Sequence, residues 1–195
     1  MAFRLITQTH SLRRQVEHQI RKTYCERFSA QIKTLPALLV ASEDGTGGIE
    51  CAAGIRFTDR SLFSECYLDS PVERVLKQRL GCNVRRAQVV EICNLVARKP
   101  GCSLQFISDV ISLVESLDAH WAIFTATRPL RSLLRRNGIA MTELARADRN
   151  RVPNPSDWGT YYKHDPWVMA VGRDAAVEHT QFIPRAASVG MLAHA

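Results

Sequence analysis

The segment from Gln88 to Leu104 joins a strand-like run to a helix through a short basic loop, Arg98-Lys-Pro-Gly-Cys-Ser103. Free N–H groups at the start of a helix attract phosphate, and a glycine lets a ligand approach the backbone closely. The loop could hold a pyrophosphate or the phosphate of a phosphopantetheine arm; a solvated basic loop is the alternative. The glycine spacing is not that of a Walker loop. The candidate cofactor-binding residues are therefore Arg98, Lys99, Gly101, Cys102 and Ser103.

A single carboxylate, Glu91, interrupts the apolar strand before this loop. A carboxylate flanked by valine and isoleucine is partly buried or faces a cleft, and such surroundings suit it to general-base chemistry. The apolar alternation breaks at Asn94, which predicts a bulge that separates the strand from its neighbour and opens a slot. Glu91 and Asn94 are thus candidate catalytic residues. A structural pair between Glu91 and one of the many arginines is the alternative.

Two further groups of side chains could face a substrate. Trp158-Gly-Thr-Tyr161-Tyr162 gathers three aromatic residues around one glycine, and a tyrosine hydroxyl there could protonate a leaving thiolate. Asp69 and Glu73 flank Pro71 and could bind an amine. A structural aromatic cluster and a helix-capping carboxylate pair are the respective alternatives.

The region 128–151 is strongly basic. Its seven arginines are Arg128, Arg131, Arg135, Arg136, Arg146, Arg149 and Arg151. Of these, Arg128, Arg131 and Arg135 are candidates for docking an acidic carrier protein; a solvated helix face is the alternative. We expect no nucleic-acid partner, because the interleaved aromatic residues that single-strand binding uses are missing.

The elements that position these residues alternate between helix and strand. The spacing predicts a helix within 10–34 that ends before Pro36, and a hairpin of strands 36–41 and 49–57 around a glycine-rich turn. A short helix follows, with Ser70 as N-cap and Gly81 at its end. Further along, the pattern predicts strands at 84–96, 121–127, 139–144 and 167–171. Helices begin at Leu104 and after Thr127, and 152–166 is loop-like. This order predicts mixed α/β layers with helices on a sheet.

Composition limits the class of protein. The chain has 195 residues, 46% of them hydrophobic, and a net charge of +7, which fits one folded domain with an anionic partner. We expect a domain over 1–173 and a loose tail over 174–195. No apolar run is long enough to span a bilayer and no secretory signal is visible, so we expect a cytoplasmic protein. The six cysteines have no zinc-ligand spacing, so we expect reduced thiols and no metal site.

Three segments together resemble the thermostable hemolysin family. They are Leu62-Phe-Ser-Glu-Cys-Tyr-Leu-Asp-Ser-Pro-Val-Glu73, Val90-Glu-Ile-Cys-Asn-Leu-Val-Ala97, and Phe124-Thr-Ala-Thr127 with the downstream Trp158-Gly-Thr-Tyr-Tyr162. The resemblance spans about residues 10–172. The family usually has Glu-Val-Gly-Asn-Leu-Ala at the central strand, whereas Cys93 stands here in place of that glycine.

The element order is also similar to that of acyl-CoA-dependent acyltransferases of the GNAT fold and their acyl-homoserine-lactone-synthase branch. That resemblance implies an α+β fold: a central mixed sheet with a splayed, bulged strand pair and helices on both faces. It also implies a glutamate on the corresponding strand, which is Glu91 here. The arginine that follows in those synthases is not matched, and Asn94 stands near its position.

These resemblances favour an N-acyltransferase. It would move an acyl group from a thioester, on coenzyme A or an acidic acyl carrier protein, to an amine or amino-acid-like acceptor, with no tightly bound cofactor. A membrane-active haemolytic protein and a non-catalytic binding module on the same fold are the alternatives, and fold analogy alone does not choose between them.

Overall fold

A seven-stranded mixed sheet forms the centre of the part of the chain that the structure describes. The computed structural model describes residues 2–58, 61–81, 83–99 and 103–173. Its strands are β1 (Ala2–Ile6), β2 (Leu38–Glu43), β3 (Ile49–Phe57), β4 (Val89–Ala97), β5 (Trp121–Ala126), β6 (Thr142–Arg146) and β7 (Trp167–Gly172). They lie in the order β1-β2-β3-β4-β5-β7-β6. The β4–β5 pair is parallel and the other pairs are antiparallel.

Helices cover both faces of the sheet, as predicted. They are α1 (Arg13–Phe28), α2 (Val72–Leu80), α3 (Ser103–Ser116) and α4 (Arg128–Arg136). Neighbouring residues of one strand pack to opposite sides, because side chains alternate along a strand. Leu39 packs with α1 and Val40 with α3. Likewise Val89 packs with α2 and Val90 with α3. One face therefore carries α1 and α2, and the other carries α3 and α4.

The sheet opens between β4 and β5. These strands pair only through Val89–Trp121, Val90–Ala122 and Glu91–Ile123, although both continue beyond that point. On its other edge β4 shifts register against β3 between Ala52 and Gly54, and Asn94 adopts a left-handed φ of 53°. An extra residue in one strand bends it away from its neighbour. The predicted bulge and splayed strand pair are thus confirmed.

Several predicted elements differ in the structure. Strand β1 was not predicted, whereas α1 ends at Phe28, before Pro36 as predicted. The strand predicted at 139–144 lies at Thr142–Arg146. The predicted loop 152–166 contains two short 3-10 helices, Pro155–Trp158 and Tyr161–His164. The tail predicted over 174–195 lies outside the described residues.

The predicted Ser70 cap is wrong. Helix α2 begins after Pro71 and has no side-chain bond from its N-cap residue. Instead the Val72 N–H donates to Glu65 Oε1 at 3.0 Å, so a carboxylate from the preceding turn satisfies the helix start. Gly81 ends α2 in the left-handed conformation, at φ 70°, as predicted.

No described helix is long and apolar enough to cross a membrane. No group of three or more metal-ligating side chains occurs within the described residues either.

Candidate active site

The opening between β4 and β5 leads into a cavity on the α3/α4 face, which we call the rear cavity. Its volume is about 340 Å³. Its wall includes apolar side chains from α3, β5 and α4, among them Val110, Val114, Phe124, Leu133 and Leu134. Arg27 and Arg173 also contribute to the lining. Such a cavity suits an apolar chain whose polar end lies elsewhere.

A second cavity, which we call the front cavity, lies on the α1/α2 face. Its volume is about 280 Å³. Its wall is more polar and strongly aromatic, and includes Lys33, Arg56, Phe63, Tyr67, Glu91, Asp157 and Trp158. The Arg56 guanidinium carbon lies 5.7 Å from the centre of the Phe63 ring. Cationic groups beside aromatic faces suit a small molecule that has both an anionic group and an apolar part.

The two cavities meet at the opening in the sheet. Five residues line both of them: Tyr24, Cys93, Asn94, Thr125 and Tyr161. Cys93 and Asn94 lie on β4 beyond its last pair with β5, and Thr125 lies on β5 beyond its last pair with β4. The bulge at Asn94 thus produces a passage through the sheet. Two ligands bound on opposite faces can make contact only through such a passage.

Glu91 lies in the wall of the front cavity with only 1% of its surface exposed. Its Oε1 accepts hydrogen bonds from Ser64 N at 2.7 Å and from Ser64 Oγ at 2.6 Å. Its Oε2 accepts one from Phe63 N at 2.8 Å and lies 3.5 Å from Arg56 Nη1. The predicted catalytic candidate is therefore also a structural anchor. It ties the turn Phe63–Tyr67 to β4 and pairs with an arginine, which was the alternative interpretation.

Asn94 lies where it was predicted, at the bulge and beside both cavities. Two neighbouring groups on the passage keep their protons. Burial raises the pKa of the Cys93 thiol and the pKa of the Tyr24 hydroxyl. Both side chains therefore present neutral groups to a ligand in the passage.

The two predicted tyrosines have different positions. Tyr161 is buried, lines both cavities and donates its hydroxyl to the Thr125 carbonyl at 3.4 Å. Tyr162 lies in neither cavity lining, and its hydroxyl is 2.7 Å from that of Tyr67. Burial raises the pKa of Tyr161 well above its ordinary value of 10 and that of Tyr162 to about 12. Both tyrosines hold their protons firmly, and only Tyr161 is close enough to act on a ligand in the passage.

The predicted phosphate loop is described only in part. Arg98 is exposed and pairs with Asp44 Oδ2 at 2.5 Å, and Lys99 is also exposed. Gly101 and Cys102 lie outside the described residues, and α3 begins at Ser103. Hydrogen bonds from Thr46 and Gly48, with a further one from Arg98, hold the pKa of Asp44 far below its usual range. Arg27 of α1 donates to the Ala97 carbonyl at 2.6 Å, which adds a third cation near the end of β4.

The predicted amine-binding pair lies away from the passage. Asp69 is exposed and its Oδ1 lies 2.6 Å from Arg151 Nη1. Glu73 pairs with Arg86 at 3.1 Å. Neither carboxylate lines either cavity. Glu73 lies in the first turn of α2, but it is Glu65 that accepts the Val72 N–H at the helix start, so the alternative of a helix-capping pair is not observed either.

The predicted docking face needs one correction. Arg128 and Arg135 are exposed on α4, but Arg131 is only 6% exposed. Its guanidinium donates to the Ala126 carbonyl at 2.9 Å and pairs with Asp165 Oδ2 at 2.8 Å. Arg131 thus joins α4 to the start of β7 and cannot contact a partner protein. Arg135 pairs with Glu143 at 2.6 Å on the surface.

Sequence reasoning missed several residues of the site: Tyr24, Arg56, Phe63, Ser64 and Thr125. Three of them did carry a signal. Phe63 and Ser64 lie in the segment Leu62–Glu73 and Thr125 lies in Phe124–Thr127, and both segments carried the family resemblance. Ser64 and Thr125 also contact each other. Their hydroxyls lie 3.0 Å apart although the residues are 61 positions apart in the chain.

Comparisons with known proteins agree with this geometry. The model of the thermostable hemolysin family matches residues 6–177, while no curated protein matches the chain. Similar solved structures include the CoA-dependent acyl-homoserine lactone synthase MesI, with a TM-score of 0.58 and 18% identity over 92% of this chain and 93% of that chain. The acyl-homoserine lactone synthase LasI has a TM-score of 0.58 and 10% identity over 88% and 89%. FeeM, an N-acyl amino acid synthase from uncultured soil microbes, has a TM-score of 0.61 and 10% identity over 92% and 99%. These likenesses confirm the predicted GNAT-like fold.

Proposed function

Because the chain belongs to the thermostable hemolysin family and shares its fold with acyl-transferring synthases, we propose that it is an N-acyltransferase. It transfers an acyl group from a thioester of coenzyme A or an acyl carrier protein to the amine of an amino-acid-like acceptor. The observation that carries the proposal is the passage through the sheet, which joins two chemically different cavities. The donor approaches from one face and the acceptor from the other.

The donor thioester lies in the opening between β4 and β5. Beyond Glu91, the facing edges of these strands are not paired with each other, so an extended pantetheine arm can bond to their backbone groups. Asn94 and the strand backbone orient the thioester. The acyl chain extends into the rear cavity, whose wall is apolar. Burial of an acyl chain there contributes roughly 0.8 kcal/mol per CH₂.

The donor's phosphates lie at the start of α3. We assign phosphate binding to Arg98, Lys99, Gly101, Cys102 and Ser103, and Arg27 adds a further cation at the end of β4. A helix start and adjacent cations both favour an anion. When the donor is carried on an acidic protein, the exposed Arg128 and Arg135 form part of the docking surface.

The acceptor occupies the front cavity. Its carboxylate lies near Arg56 and Lys33, its apolar part lies against Phe63 and Trp158, and its amine points toward the passage. The substrate therefore needs an anionic group and an amine a few bonds apart, as in an amino acid. Glu91 belongs to this cavity but is buried behind Ser64 and Phe63, so it acts on the amine through other groups.

Thermal-shift measurements with purified protein test the donor side. Acyl-CoAs of several chain lengths and an acyl carrier protein loaded with the same acyl groups are compared with free CoA. A ligand that binds only the native state raises the melting temperature, by an amount that grows with its concentration over Kd. We expect a larger rise with acyl-CoA or acyl carrier protein than with CoA alone.

A transfer assay tests the reaction itself. Release of the free thiol is followed with a chromogenic reagent in the presence of a panel of amino acids, and mass spectrometry identifies the amide product. Leakage of a dye from liposomes is measured in parallel. Lysis in the absence of any thioester, combined with no thiol release, would overturn the enzyme proposal in favour of a membrane-active protein.

A further inference from the structure

The catalytic candidate Glu91 cannot touch a substrate directly. Its carboxylate is 1% exposed, and its two oxygens accept bonds from Phe63, Ser64 and Arg56. An amine in the front cavity therefore needs an intermediate group to pass a proton to it. The buried hydroxyl of Ser64, which is 1% exposed, is in direct contact with the carboxylate.

Two hydroxyl groups connect Glu91 to the passage. Ser64 Oγ lies 2.6 Å from Glu91 Oε1 and 3.0 Å from Thr125 Oγ1. An ionised carboxylate only accepts hydrogen bonds, so the Ser64 hydroxyl donates to Glu91. The Ser64 oxygen must then accept, which makes the Thr125 hydroxyl the donor to Ser64. The oxygen of Thr125 retains a lone pair for a further donor.

Thr125 lies where the two substrates would meet. It is on β5, two residues beyond the last pair with β4, and it lines both cavities. An amine that attacks a thioester in the passage must bring its N–H groups close to this position. The outer end of the hydroxyl chain therefore faces the reacting atoms, and its inner end is the buried carboxylate.

We propose that Thr125 and Ser64 form a proton relay between the acceptor amine and Glu91, an inference that rests on the proposed acyl transfer. As the nitrogen forms its bond to the thioester carbon, its proton moves to Thr125, the Thr125 proton moves to Ser64, and the Ser64 proton moves to Glu91. The C–S bond then breaks. The leaving sulfur takes up one proton, by return along the relay, so atoms and charge balance without a further reactant.

Substitution of Thr125 tests the relay. T125V removes the hydroxyl but keeps the side-chain shape, and T125S keeps the hydroxyl. General-base catalysis contributes about 10²- to 10⁴-fold to a rate, so we expect T125V to lower kcat at least about 100-fold, with KM for the acceptor changed less than about threefold. We expect T125S to restore most of the lost rate. T142V makes the same change on β6, outside both cavity linings, and serves as the matched control.

A second measurement separates a relay from a structural role. A relay moves several protons together, so the wild-type enzyme has a solvent deuterium isotope effect on kcat that curves with the deuterium fraction. T125V loses that curvature. S64A breaks the relay at its second member and leaves the Ser64 N–H bond to Glu91 in place, so it provides an independent test should T125V fold poorly. Native melting behaviour and an unchanged acyl-CoA thermal shift show that the variants are folded.

The outcomes distinguish the relay from the proposed function. Wild-type enzyme that releases no thiol with any acceptor overturns both. Active wild-type enzyme with T125V and S64A within about fivefold of its kcat overturns the relay alone. An equal loss in T125V and T125S also overturns it, because the hydroxyl would then not be the cause.

Discussion

Removal of the Glu91 carboxylate tests whether this residue anchors the fold around the front cavity. In E91A, the N–H groups of Phe63 and Ser64 lose the acceptors that now lie 2.8 Å and 2.7 Å away. A buried donor left without an acceptor costs about 1–3 kcal/mol. The Ser64 hydroxyl is less affected, because it can turn to Thr125 at 3.0 Å. We therefore expect E91A to lower the free energy of unfolding by about 2–6 kcal/mol.

The glutamine variant gives an intermediate result. In E91Q the remaining oxygen can still accept both bonds from Ser64, while the new NH₂ group faces the Phe63 N–H. One donor then lacks an acceptor, which costs about 1–3 kcal/mol. From most to least stable, the predicted order is therefore wild type, E91Q and E91A.

Urea unfolding, followed by tryptophan fluorescence and far-ultraviolet circular dichroism at pH 7, measures both differences. E143A is the matched control. Glu143 is also a strand glutamate paired with an arginine, but the pair is exposed, and such pairs contribute about 0–1 kcal/mol. If E91A were no less stable than E143A, the anchoring role of Glu91 would be refuted.

Three further predictions follow from the geometry. Gly159 has φ 49°, and a Cβ there would lie 2.1 Å from the Phe28 carbonyl oxygen. G159A should therefore lower the free energy of unfolding by on the order of 3 kcal/mol. G45A is the control and should leave the free energy of unfolding unchanged, because the space around Gly45 is open. Chiefly through its bonds from Arg86, Glu65 has a pKa lowered from its ordinary 4.5. The ionised Glu65 therefore stabilises the folded protein fully above pH 4.5, and this contribution is lost as the pH falls below that value. The melting temperatures of wild type and E65Q should converge as the pH falls from 7 to 3. A constant difference between them would contradict this prediction. L133W should fill part of the rear cavity and lower kcat/KM at least about tenfold for long acyl donors but not for acetyl donors. R136W is the control: Arg136 lies outside both cavity linings, so this variant should leave kcat/KM unchanged for both kinds of donor.

The strand that carries the site was predictable because its pattern is local. Val90 and Ile92 flank Glu91 in sequence, and the break before Asn94 is visible without any knowledge of neighbouring strands. The polarity of Glu91 within an apolar run also indicated a special role. What the pattern could not show is that both carboxylate oxygens are covered by Ser64 and Phe63, because those contacts join residues 27 and 28 positions apart.

Other misses have physical causes of the same kind. Strand β1 is an edge strand with mostly exposed residues, so it lacks the apolar alternation that indicates a buried strand. It forms because it pairs with β2 from Leu39 to Glu43. Arg131 was grouped with the other arginines of α4 because charge alone does not reveal burial. Its position three residues before the buried Leu134 places both side chains on one helix face, and that spacing was a usable signal.

Because the sheet separates the two cavities, donor specificity and acceptor specificity would depend on different side chains. The α3 and α4 side chains of the rear wall are absent from the front wall, and Arg56, Phe63 and Trp158 are absent from the rear wall. Among the residues that the structure describes, only the five of the passage are common to both. Under the proposed function, a change in either outer wall would alter recognition of one substrate without affecting the other, whereas a change at Asn94 or Thr125 would alter the point where both react. If Glu91 acts through Ser64, as proposed, the turn Phe63–Tyr67 must keep its position for the carboxylate to act. The hydrogen bonds from Phe63 and Ser64 that stabilise the turn would thus also hold the Glu91 carboxylate at a fixed distance from the passage.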